Sequence, residues 1–127
     1  MLGLLTVLTT AVHFAALLFI GLGGFLAWYR PRVLVWHVPL ACWGVAVNVL
    51  PLPCPLTLAE DHLRRMRGLP PLEGGFNEHY IYDTLFPREL LPVVGAGALA
   101  LVLVSYLGVA VRSRGRRADG PAPAPRA

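Results

Sequence analysis

Residues 4–28, "LLTVLTTAVHFAALLFIGLGGFLAW", decide the fold class. Apart from Thr6, Thr9, Thr10 and His13 the stretch carries side chains suited to a bilayer interior. Its length of about 25 residues exceeds the ~20 that a helix needs to cross the hydrocarbon core. It is read as a membrane span. A cleaved signal peptide would show a basic n-region and a small-residue cleavage site after a short apolar core. Neither is seen, so the span is expected to stay in the protein.

Working outward, "WYRPR" at 28–32 is a turn, with Pro31 breaking the helix and Trp28, Tyr29 and Trp36 marking a membrane interface. Residues 33–52 form the second span. Residues 90–111 form the third, with Pro92 in the first turn, where a missing amide costs little. The fold class expected is an all-α membrane protein: one domain over residues 1–111, with three transmembrane helices. One or two short amphipathic surface helices are expected in the loop at 53–89. Residues 112–127, basic and rich in Pro and Ala, are expected to be a disordered tail.

Composition agrees. The 127-residue chain is 56% hydrophobic and only 14% charged, against about a quarter charged in soluble domains. All eleven basic residues are Arg, and the abundance of Ala, Gly and Pro suggests a GC-rich bacterial genome. The net charge of +4 is concentrated in the tail, where residues 112–127 hold five Arg against one Asp. A basic run just past a span fixes topology, and no nucleic-acid-binding pattern accompanies it. Arg30 and Arg32 fall on the same side of a three-span chain as Arg112, Arg114, Arg116 and Arg117. That side is expected to be cytoplasmic, with the amino terminus and the 53–89 loop on the outer face of the membrane. Cys42 and Cys54 form no CxxC pair and, twelve residues apart, cannot bridge within one helix.

The loop opens with "CPLTLAEDHLRRMRG", residues 54–68. Thr57 followed three residues on by Glu60 reads as a capping box. Glu60 with Arg64 and Asp61 with Arg65 read as i,i+4 ion pairs, and Ala59, Leu63 and Met66 as one apolar face. Gly68 should stop the helix. "GGFNEHYIYDTLFP", residues 74–87, reads as a second interfacial segment.

Ionisable residues within spans are costly and face the bundle interior, which singles out His13 and His37. Counting the helical rise places His37 level with Tyr106, where a hydrogen bond between them is expected. It places His13 ~14 Å and His37 ~23 Å below the outer edge, depths too different for two axial ligands of one haem. An outer cluster of His13, Cys54, Glu60 and His79 is the candidate metal-ligand set. His37, Thr57 and Tyr80 complete the ligand or partner candidates. A Cys54 and His79 nucleophile pair has weak support. No GxSxG, HExxH, P-loop or dinucleotide fingerprint is present, and no catalytic residue is assigned.

"VHFAALLFIGLGG" (12–24), "RPRVLVWHVPLACWG" (30–44), "CPLTLAEDHLRR" (54–65) and "GGFNEHYIYDTLFP" (74–87) resemble, in order and spacing, the bacterial membrane-protein family called domain of unknown function 2784. The resemblance implies a short multi-span protein of the bacterial inner membrane, with no activity to transfer. The positions matching the family pattern are His13, Gly23, Gly24, His37, Trp43, Cys54, Pro55, Thr57, Glu60, Phe76, His79 and Tyr80. The pattern often carries an acid shortly before the first-span histidine, where this chain has only residues 7–10, and departs again at Leu58 and Ala59.

The function expected is therefore that of an accessory or structural membrane protein that packs against the bilayer and against other membrane proteins or itself. The alternative is a metal- or haem-binding protein, the cofactor being haem or a transition metal. A second alternative is an enzyme acting on a lipid or quinone at the outer interface.

Overall fold

The computed structural model describes residues 1–50, 52–82 and 84–120. Five α-helices follow one another: α1 (Leu2–Leu26), α2 (Leu34–Val49), α3 (Pro55–Met66), α4 (Phe76–Tyr80) and α5 (Leu91–Ala118). Single 3-10 turns at Pro31–Val33 and Arg88–Leu90 lead into α2 and α5, and among the described residues there is no strand. Three helical stretches, Leu2–Leu26, Pro31–Val49 and Arg88–Ala118, are long and apolar enough to cross a membrane. This is the expected three-span helical fold with short helices between the second and third spans.

Some polar groups of the spans are satisfied locally. The hydroxyls of Thr6 and Thr9 donate to the carbonyls of Leu2 and Leu5, one turn back, so these threonines need no water. At the end of α1 the amides of Trp28, Tyr29 and Arg30 close a tight turn onto Phe25 and Leu26, and Pro31 forces the chain out of it. Pro39 lies inside α2, an interruption that neighbouring helices in a membrane can tolerate.

The fifth helix departs from expectation. It continues through Arg112, Arg114, Arg116 and Arg117 to Ala118, so the first residues of the basic segment are helical. Arginine is a good helix former and favours the negative end of the helix dipole. The remainder of the expected disordered tail, residues 121–127, lies outside the described residues.

The first helix is the hub, touching α2, α3 and α5. Its contact with α5 depends on Gly24. A Cβ there would overlap the Ser105 side chain, so only glycine allows the two backbones to approach this closely. Ser105 itself is fully buried, its hydroxyl donating to the Val102 carbonyl at 2.7 Å. One turn nearer the basic end, the Trp28 indole N–H donates to the Ser105 carbonyl at 2.8 Å. The Arg112 guanidinium sits 4.8 Å from the centroid of that indole, a cation–π contact. This chain of contacts brings the end of α1 level with the basic end of α5.

Gly24→Val should drive α1 and α5 apart and cost about 1–3 kcal/mol. Gly21→Val, where a Cβ meets nothing within 4 Å, should stay within about 0.5 kcal/mol of wild type. Thermal unfolding followed by circular dichroism in detergent compares the two.

Candidate functional site

The two intramembrane histidines have different surroundings. His37 is fully buried, with Nδ1 2.8 Å from the Tyr106 hydroxyl and Nε2 3.0 Å from the Ile20 carbonyl. A carbonyl can only accept, so Nε2 carries the hydrogen and, in the neutral ring, Nδ1 accepts from Tyr106. Both ring nitrogens are satisfied, and the expected bond to Tyr106 is present. His37 thus ties α2 to α1 and α5.

His13 lies on α1 about two turns, or ~10 Å, from Ile20, separate from His37 as the depth arithmetic required. It is 6% exposed. Its ring stacks on Phe76 with centroids 3.6 Å apart and planes 16° from parallel, and its Nε2 is 3.9 Å from Cys54 Sγ. Its Nδ1 is buried without a partner.

The geometry of α3 brings these groups together. The helix begins at Pro55, with Cys54 as its extended N-cap residue. Thr57 is therefore inside the first turn and cannot cap, so the expected capping box does not form. Glu60 is instead fully buried and turned towards α1. Its Oε1 accepts hydrogen bonds from the Thr10 hydroxyl at 2.9 Å and the Tyr80 hydroxyl at 2.8 Å, while Oε2 has no partner. A proline at the first helical position is itself a sufficient start, which frees Glu60 for this tertiary role. Cys54 lies beside His13, Glu60 beside Thr10, and the Arg67 guanidinium near Gly3. The third helix thus runs antiparallel along the first half of α1.

The expected ion pairs of α3 are also replaced. Asp61 Oδ1 accepts the Leu72 amide at 2.7 Å, Arg64 Nε donates to the Pro70 carbonyl at 2.8 Å, and Arg65 Nε reaches the Asp61 carbonyl oxygen at 3.4 Å. The returning chain at 70–72 carries backbone groups that need partners, and they take the side chains. Ala59 and Met66 are exposed, and only Leu63 of the expected apolar face is half-buried. The helix does stop at Gly68, whose φ is +71°.

Two further glycines aim α4. Gly74 and Gly75 have φ of +69° and +91°, a region open to glycine at little cost. The turn they make delivers Phe76, 3% exposed, onto the His13 ring. Tyr80, four residues on, shares that face and reaches Glu60. His79 does not share it. Its ring is exposed and stands edge-on to Tyr80, centroids 4.8 Å apart. Of the four expected metal ligands, three gather and His79 stands apart. Among the described residues no group of three His, Cys, Asp or Glu side chains is arranged to hold a metal ion.

Between α1, α2 and the loop lies an open cavity of about 780 Å³. Leu17, Ile20, Leu40, Trp43 and Val47 line its span side, and His13, Asn48, Cys54, Thr57 and Asn77 its loop side. The Asn77 amide N–H donates to Asn48 Oδ1 at 3.2 Å, and Asn77 Oδ1 is buried without a partner. Sequence reasoning missed Thr10, Asn48 and Asn77 as members of the site, and gave Phe76 only as a position of the family pattern. For Thr10 a signal existed, because Thr6, Thr10 and His13 fall at i, i+4 and i+7, one polar stripe on an apolar helix.

Burial raises the Tyr80 hydroxyl above its ordinary value of 10, and the hydrogen bond to Glu60 adds to the effect. A phenol held more tightly protonated in the folded protein contributes its full stability below the unfolded value and loses it as pH rises through the folded one. Stability should therefore fall above pH 10 in wild type. Tyr80→Phe should start lower and lose less over that window, as chemical denaturation at a series of alkaline pH values would record.

Residues 3–111 match a family described as Protein of Unknown function (DUF2784). No curated protein and no solved structure matches the chain. The matched residues take in all three spans, the Glu60 and His13 contacts and the cavity, and end just before the basic extension of α5. The chain is a member of the DUF2784 family.

Proposed function

We propose that this is a bacterial inner-membrane protein that binds an amphiphile from the outer leaflet in the cavity between α1, α2 and the loop. The observation that carries the reading is the shape and chemistry of that cavity. Its volume is in the range of small-molecule sites, and one wall is span and apolar while the other is loop and polar. A tail would lie against Leu17, Ile20, Leu40, Trp43 and Val47. The head would meet His13, Asn48 and Asn77, the last of which carries a buried polar atom in need of a partner.

The charges in the wall narrow the head group. Asp61 lines the cavity, as does Glu78, which is paired with Arg88 at 2.8 Å, and among the described residues no Lys or Arg does. An anionic head would meet repulsion there, so an uncharged or zwitterionic one is favoured. The orientation rests on the arginines: Arg30, Arg32 and the Arg112 to Arg117 cluster share one side, assigned to the cytoplasm by the positive-inside rule. The cavity and the loop then face outward.

Mass spectrometry of organic extracts tests the reading, using protein purified from its own membranes in mild detergent. One amphiphile should be retained near one per chain. Val47→Trp, which fills the span side of the cavity, should lower that occupancy at least tenfold with the helical content unchanged. Wild-type protein carrying only the bulk lipid mixture, or equal occupancy in Val47→Trp, would overturn it.

A further inference from the structure

The loop side of the cavity holds a thiol with an imidazole beside it. Cys54 is half-exposed at the cavity wall, and His13 Nε2 lies 3.9 Å from its sulfur, a loose contact of the kind that tightens when substrate binds. Stacking on Phe76 fixes the plane of the imidazole, so the nitrogen facing the sulfur is held rather than sampled.

The other side of the imidazole is incomplete in an informative way. His13 Nδ1 has no partner, and neither has Glu60 Oε2, though both are buried. Glu60 is hydrogen-bonded to Thr10, which stands about one turn from His13 on α1. The other Glu60 oxygen is anchored by the Thr10 and Tyr80 hydroxyls. In a nucleophile, base and carboxylate relay, the base turns one nitrogen to the nucleophile and the other to the carboxylate. The two atoms left over here are not in direct contact with each other, so a relay between them needs one bridging water.

We infer that Cys54 is a nucleophile towards an acyl ester carried by the bound amphiphile, with His13 as its general base and Glu60 as the residue that positions His13. This rests on the amphiphile-binding reading above. The thiol sulfur attacks the ester carbonyl carbon while its proton passes to His13 Nε2. The tetrahedral intermediate expels the alcohol, which takes that proton back, leaving an acyl thioester on Cys54. Water entering from the open cavity then hydrolyses the thioester, giving a fatty acid and restoring the thiol. The Leu56 and Thr57 amides, in the first turn of α3, have no intrahelical acceptor, and both residues line the cavity. They are the available donors for the oxyanion.

Cys42 provides an internal control, being exposed on α2 and absent from the cavity wall. Full-length protein in detergent is mixed with the para-nitrophenyl ester of a long-chain fatty acid, and nitrophenol release and intact mass are followed. Wild type, Cys42→Ser and His79→Ala should give a burst and an acyl adduct on Cys54 that neutral hydroxylamine removes. Cys54→Ala should give neither, and His13→Gln should slow the burst about 100-fold or more. Glu60→Gln should lower kcat with little change in KM and alter the pH profile, which loss of folding alone would not do.

If Glu60→Gln fails to fold, iodoacetamide alkylation of Cys54 in wild type and His13→Gln decides, a several-fold faster rate in wild type being expected. A burst that survives in Cys54→Ala overturns the inference, as does equal alkylation in wild type and His13→Gln. If wild type retains its amphiphile but forms no thioester, the chemistry fails and the binding reading stands. If no amphiphile is retained, the binding reading fails, whatever happens to the ester.

Discussion

A carboxyl group with no exposed surface holds the loop onto the first span. Glu60 reaches Thr10 on α1 and Tyr80 on α4 through a single oxygen, so three elements distant in sequence converge on one atom. Burying such a group costs several kcal/mol unless it is well partnered, and hydroxyl donors held by two helices are a strong incentive for those helices to stay in place. Around that point the Asp61 bond to Leu72 and the glycine pair at 74 and 75 fold the chain back, and Phe76 closes over His13. The cavity exists because this arrangement keeps the loop beside α1 and α2.

The bundle is built with its polarity reversed relative to a soluble domain. The buried polar residues are Thr6, His13, His37, Glu60 and Ser105, while large side chains such as Leu4, Val35, Leu103 and Leu107 are exposed. In lipid there is little to gain from sequestering leucine, and helices associate through close packing and internal hydrogen bonds. Gly24 against Ser105 supplies the first of these. His37 between Ile20 and Tyr106 supplies the second, and Trp28 on the Ser105 carbonyl repeats it. The two ends of α1 are thus secured differently, by α5 at the basic end and by α3 and α4 at the other.

Much of this was legible in the sequence where the controlling physics is local or one-dimensional. Span lengths follow from hydropathy, the break before α2 from Pro31, and the stop of α3 from Gly68. The His37 to Tyr106 bond followed from helical rise alone, because antiparallel spans convert residue counts into depth. The role of Glu60 was not legible. The spacing from Thr57 to Glu60 satisfies a local capping rule, and only a partner helix 50 residues away in sequence shows that the carboxylate is needed elsewhere. His79 was grouped with the site as a possible metal ligand by residue type, which says nothing of the face a one-turn helix presents. The helical continuation of α5 was hidden by its charge, since arginines that end a span do not end a helix.

The polar interior also sorts itself by whether its hydrogen bonds are complete. Thr6 and Ser105 donate to carbonyls of their own helices, and His37 uses both ring nitrogens. These groups have what a structural role requires and nothing left over. His13, Glu60 and Asn77 each keep one buried polar atom without a partner. Native interiors rarely leave such atoms, and those that remain call for an explanation in terms of strain, water, ion or function. Here they belong to residues of α1, α3 and α4 that meet around Phe76, and two of the three residues line the cavity. Random imperfections of packing would be scattered through the bundle. Glu60 belongs to both groups, since one of its oxygens holds α3 to α1 and α4 while the other is left over.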